Sequence, residues 1–134
     1  MAALLRSAAT LRISGDDLDP SDLTQLLGAA PTLACVKGEP RKPGGKVIAR
    51  TGQSHLSAKD IEPADIDAQV AEILAQLPSD PDVWRLLAAR YKIDLFYGWF
   101  MNESNEGVEI AAETLSALGS RGIKLGIDLY GPGE

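Results

Sequence analysis

The chain is poor in the residues that most often carry chemistry. Its 134 residues include one cysteine, Cys35, and one histidine, His55. A lone cysteine excludes an internal disulfide framework and fits a reducing, cytoplasmic setting. A lone histidine leaves no His/Cys cluster at metal-ligand spacing, so no metal and no cofactor is expected. Basic residues number 13 against 19 acidic ones, for a net charge of −6. An acidic surface excludes general nucleic-acid binding and attraction to acidic membranes, though not a local basic patch. No apolar run approaches the roughly 20 residues that span a bilayer. The opening MAALLRSAATLR has no basic leader and no continuous apolar core, so a signal peptide is rejected.

What is present is ordinary globular material, 45% hydrophobic and 24% charged. Its length suits a single domain over 1–134, ordered from about 9 to 131. The most telling stretch is TLRISGDDLDPSDLTQLLGAAPT at 10–32. Leu11 and Ile13 alternate with Arg12 and Ser14, as in a half-buried strand, and Gly15 ends the run. Asp19 then caps a helix, Pro20 takes its first position, and Leu23, Leu26 and Leu27 form its apolar stripe. Gly28 and Pro31 close the helix before a strand over 32–36.

A turn-rich connection from Lys37 to Lys46 leads to a third strand, Val47–Arg50, with a kink at Gly52 and a short piece at His55-Leu56. A helix with Pro63 in its first turn carries Ile66, Val70, Ile73, Leu74 and Leu77 on one face. Asp80-Pro81 opens another, burying Val83, Trp84 and Leu87. A long strand runs from Tyr91 to Met101. Ile110, Ala111, Thr114, Leu115 and Leu118 mark a last helix, ended by Gly119, before a strand over 123–130 and a frayed tail at 131–134. The order β-α-β-β-α-(α)-β-α-β predicts an α+β two-layer sandwich. Its mixed sheet has about five strands, with helices mainly on one face and a start compatible with a ferredoxin-like path.

Several markers together resemble a domain-of-unknown-function family, number 4279, widespread in bacteria. They are LRISGDDLDPSDLTQLLGAAPT, Lys37-Gly38, Thr51-Gly52 with Leu56-Ser57, and LGSRGIKLGIDLYG. The likeness covers roughly 9–131. Where that family carries a Trp shortly after the Thr-Gly pair, this chain has Gln53-Ser54-His55. The resemblance implies a single domain and supplies no activity, since the family has no established catalytic residues.

No catalytic constellation emerges, and the reading leans away from an enzyme. Asp16, Asp17, Asp19 and Asp22 are acidic enough for a cation, but their spacing breaks the calcium-loop pattern and suits turn and cap roles. Cys35 and His55 form a conceivable nucleophile pair, but Cys35 lies in an apolar strand, where a thiol behaves as a small hydrophobe. The polar loop Asn102–Glu106 identifies no ligand by itself.

Two surfaces remain. Lys37, Arg41, Lys42, Lys46 and Arg50 concentrate positive charge in the 37–50 loop, where Gly44-Gly45 would let backbone N–H groups approach an anion. Tyr91, Phe96, Tyr97, Trp99 and Phe100 crowd both faces of one strand, which then needs a cover such as a second copy of the chain. The first reading is therefore a non-catalytic interaction module, homodimeric or with an unidentified protein partner. Its alternatives are a small-anion binder or enzyme using the 37–50 loop, and an immunity or accessory protein that neutralises a partner. A deep cleft near His55, Cys35 or Arg50 would place the anion reading first.

Overall fold

Asp-Pro pairs, alternating strands and one long loop set out the architecture. The computed structural model describes residues 6–133. The expectations for residues 1–5 of the leader region and for Glu134 of the tail lie outside the described residues. The elements are β1 (Arg6–Gly15), α1 (Pro20–Leu27), β2 (Leu33–Cys35), β3 (Gly52–Ser57), α2 (Ile66–Leu74), α3 (Pro81–Arg90), β4 (Lys92–Phe100), α4 (Ala112–Ser120) and β5 (Lys124–Tyr130). The sheet order is β2-β3-β1-β4-β5, antiparallel throughout except for the parallel β4–β5 pair. The first four strands follow the split β-α-β path of ferredoxin-like folds, and α4 and β5 are appended.

The helices share one face of the sheet. Ala9, Leu11 and Ile13 of β1, and Ile93, Leu95 and Tyr97 of β4, meet Leu23, Ile66, Val70, Ile73, Trp84, Leu87 and Leu118 in one apolar cluster. Tyr97 is fully buried, and its hydroxyl donates to the Ile66 carbonyl at 2.8 Å. Burial and the nearby Asp67 and Asp65 push this phenol well above its ordinary range.

The caps explain the helix starts. Asp19 accepts from the Ser21 and Asp22 N–H groups, Gly28 leaves α1 at φ +73°, and Asp80 accepts from Asp82 N–H beside Pro81. The second helix starts later than its proline suggests. Asp65 accepts from Ala68 N–H at 3.1 Å and fixes the start at Ile66, three residues beyond Pro63. Helix α4 has no side-chain cap of its own. Asp67, in the first turn of α2, accepts from Ala111 N–H at 3.1 Å and from the Thr114 hydroxyl at 2.7 Å. One carboxylate therefore caps a helix 44 residues away. Asp67→Ala is expected to cost about 1–2 kcal/mol of stability. Hydrogen exchange checks it: amides at the start of α4 exchange faster while those of β1 and β4 keep their protection relative to the global stability.

Other boundaries also differ from the sequence reading. Strand β1 reaches back to Arg6, the first described residue, because small Ser7 and Ala9 pack as tightly as Leu11 does. Residues 47–50 are the return arm of an irregular hairpin, held by Arg41 N–H to Val47 O and Ala49 N–H to Glu39 O, each 2.8 Å. Val47 and Ile48 are 62% and 51% exposed, with no sheet face to bury against. The true strand starts at Gly52, where a Cβ would stand 2.8 Å from Gly15 O and 2.9 Å from Leu18 Cβ. Helix α4 continues past Gly119 to Ser120, and Gly122 at φ +71° makes the exit; Leu115, expected in the core, is 50% exposed.

Candidate functional site

Among the described residues no helix lies on the second face of the sheet, and the 37–50 hairpin leans over it. Direct pairing across strands puts partners on the same face, so the register defines its floor. One transverse row runs Leu33, His55, Arg12, Asp94, Lys124 through all five strands. The neighbouring row runs Cys35, Gln53, Ser14, Lys92. His55, Arg12, Asp94 and Lys124 of the first row and Gln53, Ser14 and Lys92 of the second floor a cleft of about 600 Å³, walled by Arg41 from the hairpin and by Thr51.

Its electrostatics are one-sided. Arg12, Arg41, Lys92 and Lys124 line it against a single carboxylate, Asp94. That carboxylate is engaged: Arg12 Nε donates to Asp94 Oδ1 at 2.8 Å, and a terminal guanidinium nitrogen donates to Oδ2 at 2.6 Å. The hydrogen bonds from Arg12 to Asp94 raise the guanidinium above its ordinary range, and Asp128 adds to the effect. Phe96 holds Arg12 from below, with the guanidinium carbon 4.5 Å from the ring centroid. His55 is pushed below its usual value, first by burial and then by Arg12 and Arg41, with Asp94 opposing. The imidazole is therefore neutral near pH 7, in a cleft whose cations repel another proton.

The residues singled out in the loop take different places. Arg41 reaches the cleft. Lys42 and Lys46 line a smaller depression of about 310 Å³ beside Leu33, which shares Arg41 with the cleft. Lys37 pairs with Asp16 at 3.2 Å and, with Thr51, holds that carboxyl below its ordinary range. Arg50 is exposed and outside the cleft lining. Cys35 is a buried free thiol. Of the other acidic residues, Asp17 pairs with Arg90 at 3.1 Å and Asp19 caps α1.

The aromatic strand spends most of its rings internally. Tyr97 is core, and Trp99 packs on it at 6.2 Å between centroids. Phe96 lies beneath Arg12, while Phe100 stacks on Tyr130 at 4.7 Å and carries Arg6 at 3.8 Å above its ring. The cover that the two-faced strand requires comes from this chain's own arginines and Tyr130. Tyr91 is half-buried at the end of α3, with Arg90 over its ring.

Arg12, Ser14, Gln53, Lys92, Asp94 and Lys124 were not singled out as site residues from the sequence. Their signal was the polar parity of alternating strands, which marks an uncovered face without saying that its charges converge. Among the described residues no helix is long and apolar enough to cross a membrane. A family model described as Domain of unknown function (DUF4279) matches residues 5–132, nearly the whole chain. No curated protein and no solved structure matches.

Proposed function

The chain belongs to the family described as Domain of unknown function (DUF4279), and from the geometry of its open face we propose that it binds a small anion in the cleft above Arg12, with Arg41 closing over it. The observation that carries this reading is the convergence of four cations on one cleft in a chain of net charge −6. Arg12 is held flat by Asp94 and Phe96, so its orientation is set before a ligand arrives. Ser14, Thr51 and Gln53 supply neutral hydrogen-bonding groups, and His55 donates or accepts according to its protonation. The ligand class is a phosphate-, sulfate- or carboxylate-bearing small molecule. The buried free thiol of Cys35 supports a reducing compartment as the setting.

His55, the single histidine of the chain, gives the test one unambiguous probe. Sulfate is the anion of choice, because its charge does not change between pH 5 and 8. Its titration is expected to move the His55 ring resonances saturably and to raise the imidazole pKa. The linked consequence has a definite sign. A bound anion that raises the pKa makes binding take up protons, so sulfate affinity rises as pH falls. The rise is confined to the window between the depressed free pKa and the higher bound one, and His55→Gln flattens it. Resonances that follow only ionic strength, matched with sodium chloride, would remove the cleft from consideration as an anion site.

A further inference from the structure

The sheet has two edges of different character. At one, β2 is three residues long and runs straight into the 37–50 hairpin. At the other, β5 offers seven residues with β4 on one side and no described strand on the other. Such edges are commonly blunted by proline, bulges or several lysines. Between Lys124 and Tyr130 there is no proline, and one lysine stands at the start. The apolar layer beside this edge is also left open. Ile127 and Leu129 are 39% and 63% exposed, and Leu115 of α4 is 50% exposed.

We propose that the free edge of β5 pairs antiparallel with β5 of a second copy of this chain, about a two-fold axis at Gly126, to form one continuous ten-stranded sheet. The argument is self-complementarity. With the axis at Gly126, Lys124 lies opposite Asp128 of the partner subunit, and the symmetry makes that pair twice. Leu125 then faces the partner's Ile127, so the apolar layers run on across the axis. Gly126, at the axis, carries no side chain, and nothing lies within 4 Å of where its Cβ would stand. Other registers lose the match. An axis at Ile127 leaves Lys124 opposite Tyr130 and Asp128 opposite Gly126, and an axis at Asp128 sets two aspartates against each other. Opposite charges directly across an antiparallel pair stabilise it, and like charges oppose it.

The test is the oligomeric state of the full chain, by sedimentation equilibrium at micromolar concentrations, with circular dichroism to confirm folding. The wild type is expected to be dimeric at tens of micromolar. Asp128→Lys sets two lysine pairs across the axis and is expected to weaken association at least roughly ten-fold. The charge swap Lys124→Asp with Asp128→Lys restores opposite charges and is expected to restore the dimer. Ile127→Lys, which breaks the apolar contact without touching that pair, is expected to dissociate it. A monomeric wild type at ~100 µM, far above the affinity of an ordinary specific dimer, overturns the proposal. So does a dimer indifferent to Asp128→Lys and Ile127→Lys, which places the contact elsewhere, or a folded charge-swap variant that stays monomeric.

Discussion

Replacing Gln69 with leucine is expected to cost about 3–5 kcal/mol of stability, a large part of what a domain of this size possesses. Gln69 has no solvent exposure, and its side-chain amide is fully used. Its oxygen accepts from the Ser7 hydroxyl at 2.6 Å, and its nitrogen donates to the carbonyls of Ser7 at 2.8 Å and Lys59 at 2.9 Å. Ser7 also exchanges two backbone hydrogen bonds with Ile61, each 3.3 Å. One glutamine thus ties the first half of β1 and the 59–61 segment to α2. Leucine nearly matches its volume, so the loss is one of hydrogen bonding rather than packing. It strands the buried Ser7 hydroxyl away from water, at about 1–3 kcal/mol, and removes the donor that reaches the carbonyls of Ser7 and Lys59. Urea denaturation reads this as a lower midpoint at unchanged slope. Ser7→Ala removes one donor and is expected to cost about 1–2 kcal/mol. Because both changes act on one network, the double variant is expected to lose less than the two losses combined. A midpoint unmoved by Gln69→Leu would mean that water reaches these groups.

That network shows where the sequence was legible and where it was not. Features that act within one turn of chain could be read directly. Asp19-Pro20 and Asp80-Pro81 open helices as expected, because cap and proline act on N–H groups two or three residues away. The alternation in 91–101 gave β4 nearly to its ends, because the pleat alone sets its period. Long-range partners were out of reach. Ser7 and Ala9 carry little hydrophobicity, so the start of β1 cannot be seen without the glutamine that buries it. The cap of α4 comes from Asp67, which on its own looks like one more acid at a helix start. Val47 and Ile48 show the opposite error, since β-branched residues suggest a strand of the sheet, whereas Ile48 makes only an isolated antiparallel bridge to Pro40 within the hairpin.

The cleft follows the same logic. Charge clustered along the chain drew attention to Lys37, Arg41, Lys42, Lys46 and Arg50, yet exposed loop cations scatter in space, and Arg41 alone of the five lines the cleft. The convergent cations came singly, one each from β1, β4 and β5, separated by tens of residues. Register joins them, and register depends on which strands pair. The aromatic strand misled for a related reason. Its two apolar faces demanded a cover, and the sequence had no means to show that Arg6, Arg12 and Tyr130 provide it.

Arg12 is where the fold and the proposed anion site depend on the same atoms, and its removal gives the second large effect. Arg12→Ala is expected to weaken sulfate binding ~10–100-fold, on the scale of 1.5–3 kcal/mol for a hydrogen bond to a charged group. The loss is expected to exceed that of Arg41→Ala, although each variant deletes one cation. Deleting Arg12 also strips Asp94 of both its hydrogen bonds and leaves a bare carboxylate in the middle of the floor. The double variant Arg12→Ala with Asp94→Ala removes that repulsion and leaves Arg41, Lys92 and Lys124 unopposed. It is expected to bind sulfate more tightly than Arg12→Ala alone, a reversal that simple counting of lost contacts does not produce. His55 reports the same change without any ligand. Arg12 is among the groups that lower the imidazole pKa and Asp94 the one that opposes it. Arg12→Ala therefore removes a depressing charge and frees a raising one. The His55 titration is expected to move up toward its ordinary value of about 6.5. Arg12 depresses the imidazole with or without a bound anion, so its removal moves the window of pH-dependent sulfate binding to higher pH. An unchanged His55 titration in Arg12→Ala would show that the row from His55 to Lys124 does not act as one electrostatic unit, and the anion reading would fail with it.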